Sequence, residues 1–161
     1  MSYVRGTKYL GYSFYVMKGK CQLTVHPKSK AKMKSKLKEL TSRSNGWGYA
    51  KRKQKLKEYI QGWVGYYHLS NMKRLLLETD EWLRRSIRMS IWKAWKKVRT
   101  KVANLIRCGI NQYKAYEWGN TRKGYWRIAD SPILTRAIDN NRLRSAGYAT
   151  LMGAYHEWHP K

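Results

Sequence analysis

Two carboxylates stand side by side at Asp80 and Glu81, and no other adjacent pair occurs in the sequence. Paired carboxylates can perform general acid–base chemistry when an apolar cleft holds one of them protonated. This pair falls on a predicted helix, where ion pairing along the helix surface is the commoner role. The expected pairs join Glu78, Asp80 and Glu81 to Lys73, Arg84 and Arg85. We therefore expect these acids to be structural.

The histidines, cysteines and glycines indicate no other catalytic or metal site. His26, His68, His156 and His159 lack the helical spacing of a zinc motif, and no glycine-rich phosphate loop occurs. The two cysteines lie far apart, so neither a disulfide framework nor a zinc ribbon is indicated. We expect no cofactor and no metal.

Basic residues carry the clearest chemical signal, because three dense groups of them occur along the chain. Lysine and arginine neutralise phosphates, and several such groups in one small protein are typical of a nucleic-acid binder. The candidate contacts are Lys28, Lys32 and Lys36 in the first group, Lys51, Arg52, Lys53 and Lys55 in the second, and Arg84, Arg85, Arg88, Lys93, Lys96, Lys97, Arg99 and Lys101 in the third.

A fourth candidate interface alternates basic and aromatic side chains. Its members are Arg122, Lys123, Gly124, Tyr125, Trp126 and Arg127. Backbone amides at Gly124 could approach phosphates while Tyr125 or Trp126 stacks on a base. Both rings could equally well anchor a core, and the sequence leaves these two roles open.

The overall charge favours a polyanionic partner. The chain has 35 Lys and Arg against 9 Asp and Glu, a formal net charge of +26, which destabilises a compact fold unless a polyanion screens it. Nucleic acid is the expected partner and an anionic membrane is the rival, although the apolar stripes suit a core. No segment has the roughly 20 consecutive apolar residues of a membrane span, so we expect a cytoplasmic protein.

A mainly helical fold must position these residues. Positions 9–25 alternate apolar and polar residues on either side of Lys18-Gly19, which predicts a β-hairpin. Helices are predicted from Pro27, from about 50 to 67 and from 72 to about 98, and they would form a three-helix bundle. The apolar stripe of the second helix contains Leu56, Tyr59, Ile60, Trp63 and Tyr67.

Positions 99–161 are predicted to form a small helical lobe. Short helices are expected around 102–108 and 111–118, and another after Ser131-Pro132, where serine suits the N-cap and proline the first turn. A loop is expected at 120–127 and a further short helix at 141–146. From position 155 onward the sequence gives no clear pattern.

Several motifs stand in a recognisable order. They are Tyr9-Leu10-Gly11-Tyr12-Ser13-Phe14, His26-Pro27-Lys28-Ser29-Lys30, Tyr59-Ile60-Gln61-Gly62-Trp63-Val64-Gly65-Tyr66-Tyr67, Asp80-Glu81-Trp82-Leu83-Arg84-Arg85, Trp92-Lys93-Ala94-Trp95-Lys96, Trp118-Gly119-Asn120-Thr121-Arg122-Lys123-Gly124-Tyr125-Trp126-Arg127 and Ser131-Pro132-Ile133-Leu134. Together they closely resemble the carboxy-terminal third of bacterial group II intron reverse transcriptase/maturases.

The resemblance implies three regions. Residues 1–26 correspond to the end of the polymerase palm, and residues 27–98 to the thumb, also called the maturase or X domain, which grips intron RNA and the template-primer duplex. Residues 99–161 correspond to a small domain that engages target DNA. The implied contacts are the basic residues of the thumb helices together with Arg122, Lys123 and Arg127.

The chain also departs from this family. The polymerase holds two metal ions with a Tyr-X-Asp-Asp strand and an upstream aspartate, and this sequence contains no Tyr-X-Asp-Asp. Ser86 follows Arg84-Arg85, where the family commonly has a third arginine. We therefore expect a binding protein that assists RNA splicing and intron mobility and catalyses no reaction by itself.

Two other functions stay open. The chain could be a split or remnant subunit whose hairpin completes a reverse transcriptase with a separate palm and fingers chain. Exposure of Tyr9, Phe14 and Val25 would favour this alternative, and their burial would favour a protein that acts alone. A general architectural DNA binder would show no preference for intron RNA.

Overall fold

The computed structural model describes residues 10–42 and 44–160, which are mainly helical. Within these residues a two-stranded antiparallel sheet comes first and nine helices follow. The strands are β1 (Tyr12–Met17) and β2 (Lys20–Val25), and the helices are α1 (Pro27–Leu40), α2 (Tyr49–Tyr67), α3 (Lys73–Ala94), α4 (Val98–Arg107), α5 (Gln112–Gly119), α6 (Tyr125–Ala129), α7 (Pro132–Ala137), α8 (Asn140–Ser145) and α9 (Leu151–Trp158).

The predicted hairpin is confirmed. β1 pairs with β2 in a register that places Tyr12 opposite Val25. The two-residue turn has positive φ at both positions, 51° at Lys18 and 74° at Gly19, as a type I′ turn requires.

The open end of the hairpin is held by hydrogen bonds to α1 and α2. The Tyr66 hydroxyl donates to the Leu10 carbonyl at 2.7 Å, and the Tyr12 hydroxyl donates to the Tyr66 carbonyl. The Ser29 hydroxyl donates to the Gly11 carbonyl at 2.9 Å. Gly11 has a φ of 85°, which a residue with a Cβ rarely adopts.

Burial within the hairpin changes along its length. Val25 is buried and Phe14 is half-buried, whereas Val16 and Met17 near the turn are exposed. Tyr9, the remaining residue of the proposed exposure test, lies outside the described residues. The open end of the hairpin is therefore part of a core, and its turn faces solvent.

The chain divides into two compact units. The first contains Met1–Leu40, Gly48–Glu81 and Ala149–Lys161, and the second contains Thr41–Trp47 and Trp82–Tyr148. These units are defined by how compactly their residues pack. The predicted division at 1–26, 27–98 and 99–161 is a functional one, which packing does not test, so it stays a prediction.

In the first unit, α2 packs against both α1 and α9. Met33 and Leu37 of α1 are buried with Leu56 and Ile60 of α2, because apolar residues four positions apart share one helix face. The predicted stripe of α2 is therefore divided in the structure. Its aliphatic residues enter the core, while its three aromatic residues stay half-buried beside them.

In the second unit, α4 packs against α5 and α6 against α7. Buried side chains from several helices fill its core, among them Leu83, Trp92, Leu105 and Leu134. The predicted cap of α7 is confirmed, since the Ser131 hydroxyl accepts a hydrogen bond from the Leu134 amide at 3.3 Å.

Helix boundaries differ from the sequence prediction in this unit. One helix was expected from 72 to about 98, but α3 ends at Ala94 and α4 begins at Val98. Lys96 between them has a φ of 35°, a left-handed backbone that a right-handed helix cannot contain. The predicted loop at 120–127 is also too long, because α6 begins at Tyr125.

Helix α9 is a third difference, since no helix was predicted at 151–158 and the sequence gave no clear pattern from position 155 onward. Its N-cap is Thr150, whose hydroxyl accepts a hydrogen bond from the Gly153 amide at 3.0 Å. The Asp80 carboxylate accepts hydrogen bonds from the amides of Leu151 at 2.8 Å and Met152 at 3.0 Å. A side chain that lies 71 positions away in sequence thus satisfies the start of this helix.

Candidate nucleic-acid interface

The first group of basic residues follows one side of α1. Ser29, Met33 and Leu37 form the buried face of the helix, and these lysines flank it. Lys28 and Lys32 are exposed there, and Lys36 is half-buried beside Glu39, with 3.5 Å between its Nζ and the carboxylate. The two exposed lysines lie one helical turn apart and could contact successive phosphates.

The second group lies in the first turns of α2. Lys51 and Lys55 are exposed and Lys53 is half-buried. Lys55 pairs with Glu58 at 3.6 Å on the open helix surface, where such a pair contributes little to stability. Together these residues define the lysine surface of the first unit, which consists of Lys28, Lys32, Lys36, Lys51, Lys53 and Lys55.

Two of the predicted contacts, Arg52 and Arg88, are buried and therefore are not counted in the candidate interface. Arg52 is 5% exposed because it lies on the same face of α2 as Leu56 and Ile60. Arg88 is 6% exposed, and a phosphate in solution cannot reach its guanidinium.

Arg88 has a structural role in the second unit. Its Nε donates to the Ile138 carbonyl at 2.7 Å, and an Nη donates to the Asn140 side-chain oxygen at 2.8 Å. Burial lowers its pKa and the nearby Arg84 adds to this effect, whereas acidic neighbours oppose it. The pKa of arginine is so high that Arg88 stays charged despite this shift. Its hydrogen bonds hold α3 to the residues around the start of α8.

Arg85 joins α3 to α6. Its Nε and one Nη both donate to the Trp126 carbonyl, at 3.1 and 2.9 Å. Its guanidinium carbon lies 4.0 Å from the centroid of the Trp126 ring, and another Nη lies 3.6 Å from the Asp130 carboxylate. The planar fork of arginine makes these contacts at once, which a lysine cannot do.

Trp126 is 38% exposed, so the ring is only partly covered by its neighbours. The Trp82 ring lies 6.5 Å from it between centroids, in a tilted arrangement. An exposed indole next to a guanidinium offers a surface on which a base can stack.

Lys101 of α4 also places its charge near aromatic rings. Its Nζ lies 4.8 Å from the centroid of the Trp92 ring and 5.8 Å from that of Tyr125. Burial lowers the pKa of this lysine. The predicted loop and the third basic group therefore meet in one cluster of cations and rings.

We call this the arginine–tryptophan cluster. It consists of Trp82, Arg85, Trp92, Lys101, Tyr125 and Trp126. Among the remaining basic candidates of the second unit, Arg84 and Lys93 are half-buried. The others are exposed, namely Lys96, Lys97, Arg99, Arg122, Lys123 and Arg127. Gly124 is exposed as well, and Lys123 places its Nζ 4.9 Å from the centroid of the Trp118 ring.

The acidic residues behave differently from the prediction. Glu78 pairs with Arg74, at 2.9 Å between its carboxylate and Nε, and Asp80 is 2% exposed under the start of α9. The structural role expected for Asp80 is therefore found in contacts to backbone amides. Nothing in the sequence indicated those contacts, because their donors lie more than 70 positions away.

Sequence reasoning also missed the aromatic residues beside the core of α2. Tyr59, Trp63 and Tyr67 are half-buried, and they line an open cavity with Lys28 and Lys32. Their spacing of four positions was the available signal, but the same spacing is typical of a core face.

The described part of the chain contains neither a group of metal ligands nor a membrane-spanning helix. Within residues 10–42 and 44–160, no three His, Cys, Asp or Glu side chains are grouped as metal ligands would be. None of the helices in those ranges is both long and apolar enough to cross a membrane.

Part of the chain matches a known protein family. The model of the family described as group II intron, maturase-specific domain matches residues 30–109. These residues include most of α1 and all of α2, α3 and α4, with most of the lysine surface and the α3 and α4 members of the arginine–tryptophan cluster. A search of curated proteins found no match.

Proposed function

We propose that the chain binds group II intron RNA and assists its splicing, because residues 30–109 match the model of the group II intron, maturase-specific domain family. The lysine surface and the partly exposed members of the arginine–tryptophan cluster would be the contacts, whereas the buried Trp92 would not reach the RNA. The same surfaces would hold a template-primer duplex or target DNA during intron mobility.

The arginine–tryptophan cluster is the observation that carries this proposal. Arg85 and Trp126 present a charge and a partly exposed ring within 4.0 Å of each other. A strand of RNA offers a phosphate and a base face at comparable spacing, whereas an anionic membrane offers no ring to stack. The lysine surface adds charge that attracts any phosphate backbone.

The proposed role is binding, without catalysis by this chain alone. The matching family is a maturase-specific domain, which is a different domain from the polymerase palm that carries the metal-binding aspartates. Residues 1–26 would supply the end of a palm, residues 27–98 the thumb, and residues 99–161 contacts to DNA.

Titration of binding against salt tests the proposal. If about 6 to 10 phosphates are neutralised, affinity for the intron RNA should fall roughly 10³- to 10⁵-fold between 50 and 200 mM salt. A non-intron RNA of equal length, measured in parallel, separates intron recognition from charge alone. Salt-independent binding, or equal affinity for both RNAs, would contradict the proposed function.

Charge-neutral variants locate the interface. Lys51→Gln with Lys55→Gln should lower RNA affinity and reduce the salt slope by about two, one for each lost phosphate contact. Arg52 is left unchanged in this variant, because Arg52→Gln would replace a buried side chain. Lys114→Gln, outside both surfaces, is the matched control and should leave the slope unchanged.

A second candidate function is that of a split reverse transcriptase subunit. Burial of Val25 and partial burial of Phe14 count against it, whereas the hairpin turn favours it, since Val16 is 44% and Met17 49% exposed there. Apolar residues at the exposed end of a two-stranded sheet could contact a separate palm chain. Co-purification with a palm and fingers chain, lost in Val16→Lys, would support this role, and absence of any association would exclude it.

A further inference from the structure

A cavity of about 330 Å³ opens in the first unit, between the turn before β1 and the helices α1 and α2. This volume is at the lower end of the range of about 300–1,000 Å³ that small-molecule sites occupy. The cavity is therefore large enough for one nucleotide-sized group and too small for a folded segment.

Its walls combine two kinds of side chain. Helix α2 contributes Tyr59, Trp63, Tyr66 and Tyr67, and helix α1 contributes Lys28 and Lys32. None of the described residues that line it is acidic. The occupant should therefore have a flat apolar part and a negative charge.

The rings are accessible as well as close together. Tyr59, Trp63 and Tyr67 are half-buried and Tyr66 is 50% exposed, so none of the four is fully enclosed in the core. The Trp63 and Tyr67 centroids are 4.6 Å apart, and those of Tyr66 and Tyr67 are 4.7 Å apart. The hydrogen bonds that join Tyr66 and Ser29 to the backbone at Leu10 and Gly11 fix the opposite wall.

A nucleobase matches the aromatic wall only when it is unpaired. Within a duplex both faces of a base are covered by its stacked neighbours, so a protein ring can reach a base face only in a loop, a bulge or an end. The phosphate of the same nucleotide would lie within reach of the exposed lysines of α1.

We propose that this cavity binds one unpaired nucleotide of the RNA, with its base among the rings of α2 and its phosphate at Lys28 and Lys32. The proposal rests on the proposed function, because it assumes that RNA is the bound polymer. It adds recognition of a local RNA feature to the charge-driven binding of the two cationic surfaces.

Three RNA hairpins of equal length test it with the full chain. One has a single bulged adenosine, one an abasic bulge at that position, and one a fully paired stem. Base stacking is worth about 1–3 kcal/mol, so the protein should bind the adenosine bulge about 5- to 150-fold more tightly than the abasic bulge. Equal affinity for these two RNAs would overturn the proposal.

Variants of Trp63 supply the second comparison. Trp63→Leu should abolish the preference for the base-bearing bulge, while Trp63→Phe should keep most of it because a ring remains. Trp95→Leu, in the second unit, is the matched control and should leave the preference intact. A preference that survives in Trp63→Leu would overturn the proposal.

Two further measurements do not depend on how well that variant folds. 2-Aminopurine at the bulge should lose fluorescence when the unaltered protein binds, and unchanged fluorescence would contradict stacking. Lys28→Gln with Lys32→Gln changes only exposed side chains and should weaken bulge binding more than paired-stem binding. Equal weakening of both would overturn the assignment of the phosphate to these lysines.

The same experiment separates this inference from the proposed function. Salt-dependent binding of the paired stem without a bulge preference would leave the proposed function standing and remove the nucleotide site. A free mononucleotide that displaces the bulged RNA at the same concentration as the RNA itself would assign the cavity to small nucleotides, and would also overturn the proposal.

Discussion

Asp80 is the residue whose structural role is most sharply defined. Its carboxylate is buried, and it accepts hydrogen bonds from two amides at the start of α9. A carboxylate at this position also interacts favourably with the positive end of the helix dipole. The residue therefore holds together two segments that are far apart in sequence.

Asp80→Ala should lower the free energy of unfolding by about 1–3 kcal/mol, because it leaves buried amides without an acceptor. Urea denaturation measures the change, and hydrogen exchange should show earlier loss of protection in α9. Glu81→Gln is the matched control, since this neighbour is exposed and its change should stay within about 0.5 kcal/mol. Equal effects of the two variants would contradict the role of Asp80.

The contacts of Tyr12 predict that the stability of the fold falls at alkaline pH. Burial, followed by the hydroxyls of Tyr66 and Tyr67, raises the pKa of Tyr12 above its ordinary value of 10.0. The folded state thus holds this proton more tightly than the unfolded state. The associated stability is fully present below pH 10 and is lost as the pH rises through the raised pKa of the folded state.

The difference in unfolding free energy between the unaltered protein and Tyr12→Phe should therefore be constant up to about pH 10 and shrink above it. Denaturant unfolding at a series of pH values measures this difference. Tyr113→Phe, at a site that is 76% exposed, controls for general effects of alkali and should show no such change. A Tyr12 difference that is flat to pH 11.5 would exclude this explanation.

The sequence could predict the exposure of a candidate residue where a local apolar period decides it, but not where distant contacts decide it. Lysines such as Lys28 and Lys32 face solvent because the apolar period of α1 assigns them to the outer side. Arg88 could not be separated from them in this way. Its partners are the carbonyl of Ile138 and the side chain of Asn140, about fifty positions away, and no local pattern indicates such a contact.

At the scale of elements, α6 depends on a contact with another helix. It has five residues and its N-cap Gly124 offers no side-chain hydrogen bond. A helix this short is unstable alone, so the two hydrogen bonds from Arg85 to the Trp126 carbonyl must contribute to its order. This explains why local sequence indicated a loop here.

Arg85→Lys should loosen α6, because lysine cannot reproduce the two parallel hydrogen bonds or cover the ring in the same way. A loss of about 1 kcal/mol would raise the open population about fivefold. Limited trypsin digestion should then cleave after Arg127 about five times faster. Arg84→Lys, one position earlier on α3, should leave that rate unchanged, and equal rates in both variants would refute the contact's importance.

Helices with strong caps or periods were predictable, and those that depend on distant contacts were not. The Ser131-Pro132 start of α7 was read correctly because the cap is local. The end of α3 was missed since Lys96, where the backbone turns left-handed, has no sequence feature that marks a break. The start of α9 is fixed partly by Asp80 on another helix, so its own residues gave only a weak signal.

At the scale of the whole molecule, a net charge of +26 on 161 residues is the dominant property. Many like charges repel each other in the compact state, and counterions or a bound polyanion relieve this repulsion. The folded protein should therefore be more stable in the presence of its partner.

Intron RNA at one hundred times its Kd should stabilise the fold by about 2.7 kcal/mol. For a chain of this length the midpoint of thermal unfolding would rise by roughly 5–10 °C. Sodium chloride without RNA should give a smaller rise, and uncharged dextran serves as a control for crowding. An unfolding midpoint that responds to neither salt nor RNA would show that charge repulsion does not limit stability.

The return of α9 to the first unit affects the order in which the protein is completed on the ribosome. Domains commonly fold as their residues emerge. Here residues 149–160 leave the ribosome after all the described residues of the second unit, yet they finish the core that α2 began. Until α9 is made, α2 lacks one of the helices it packs against and the Asp80 carboxylate lacks the α9 amides it binds. The lysine surface on α1 and α2 should therefore become ordered only at the end of synthesis. Capture of an RNA by that surface would follow translation, even though its lysines are among the earlier residues made.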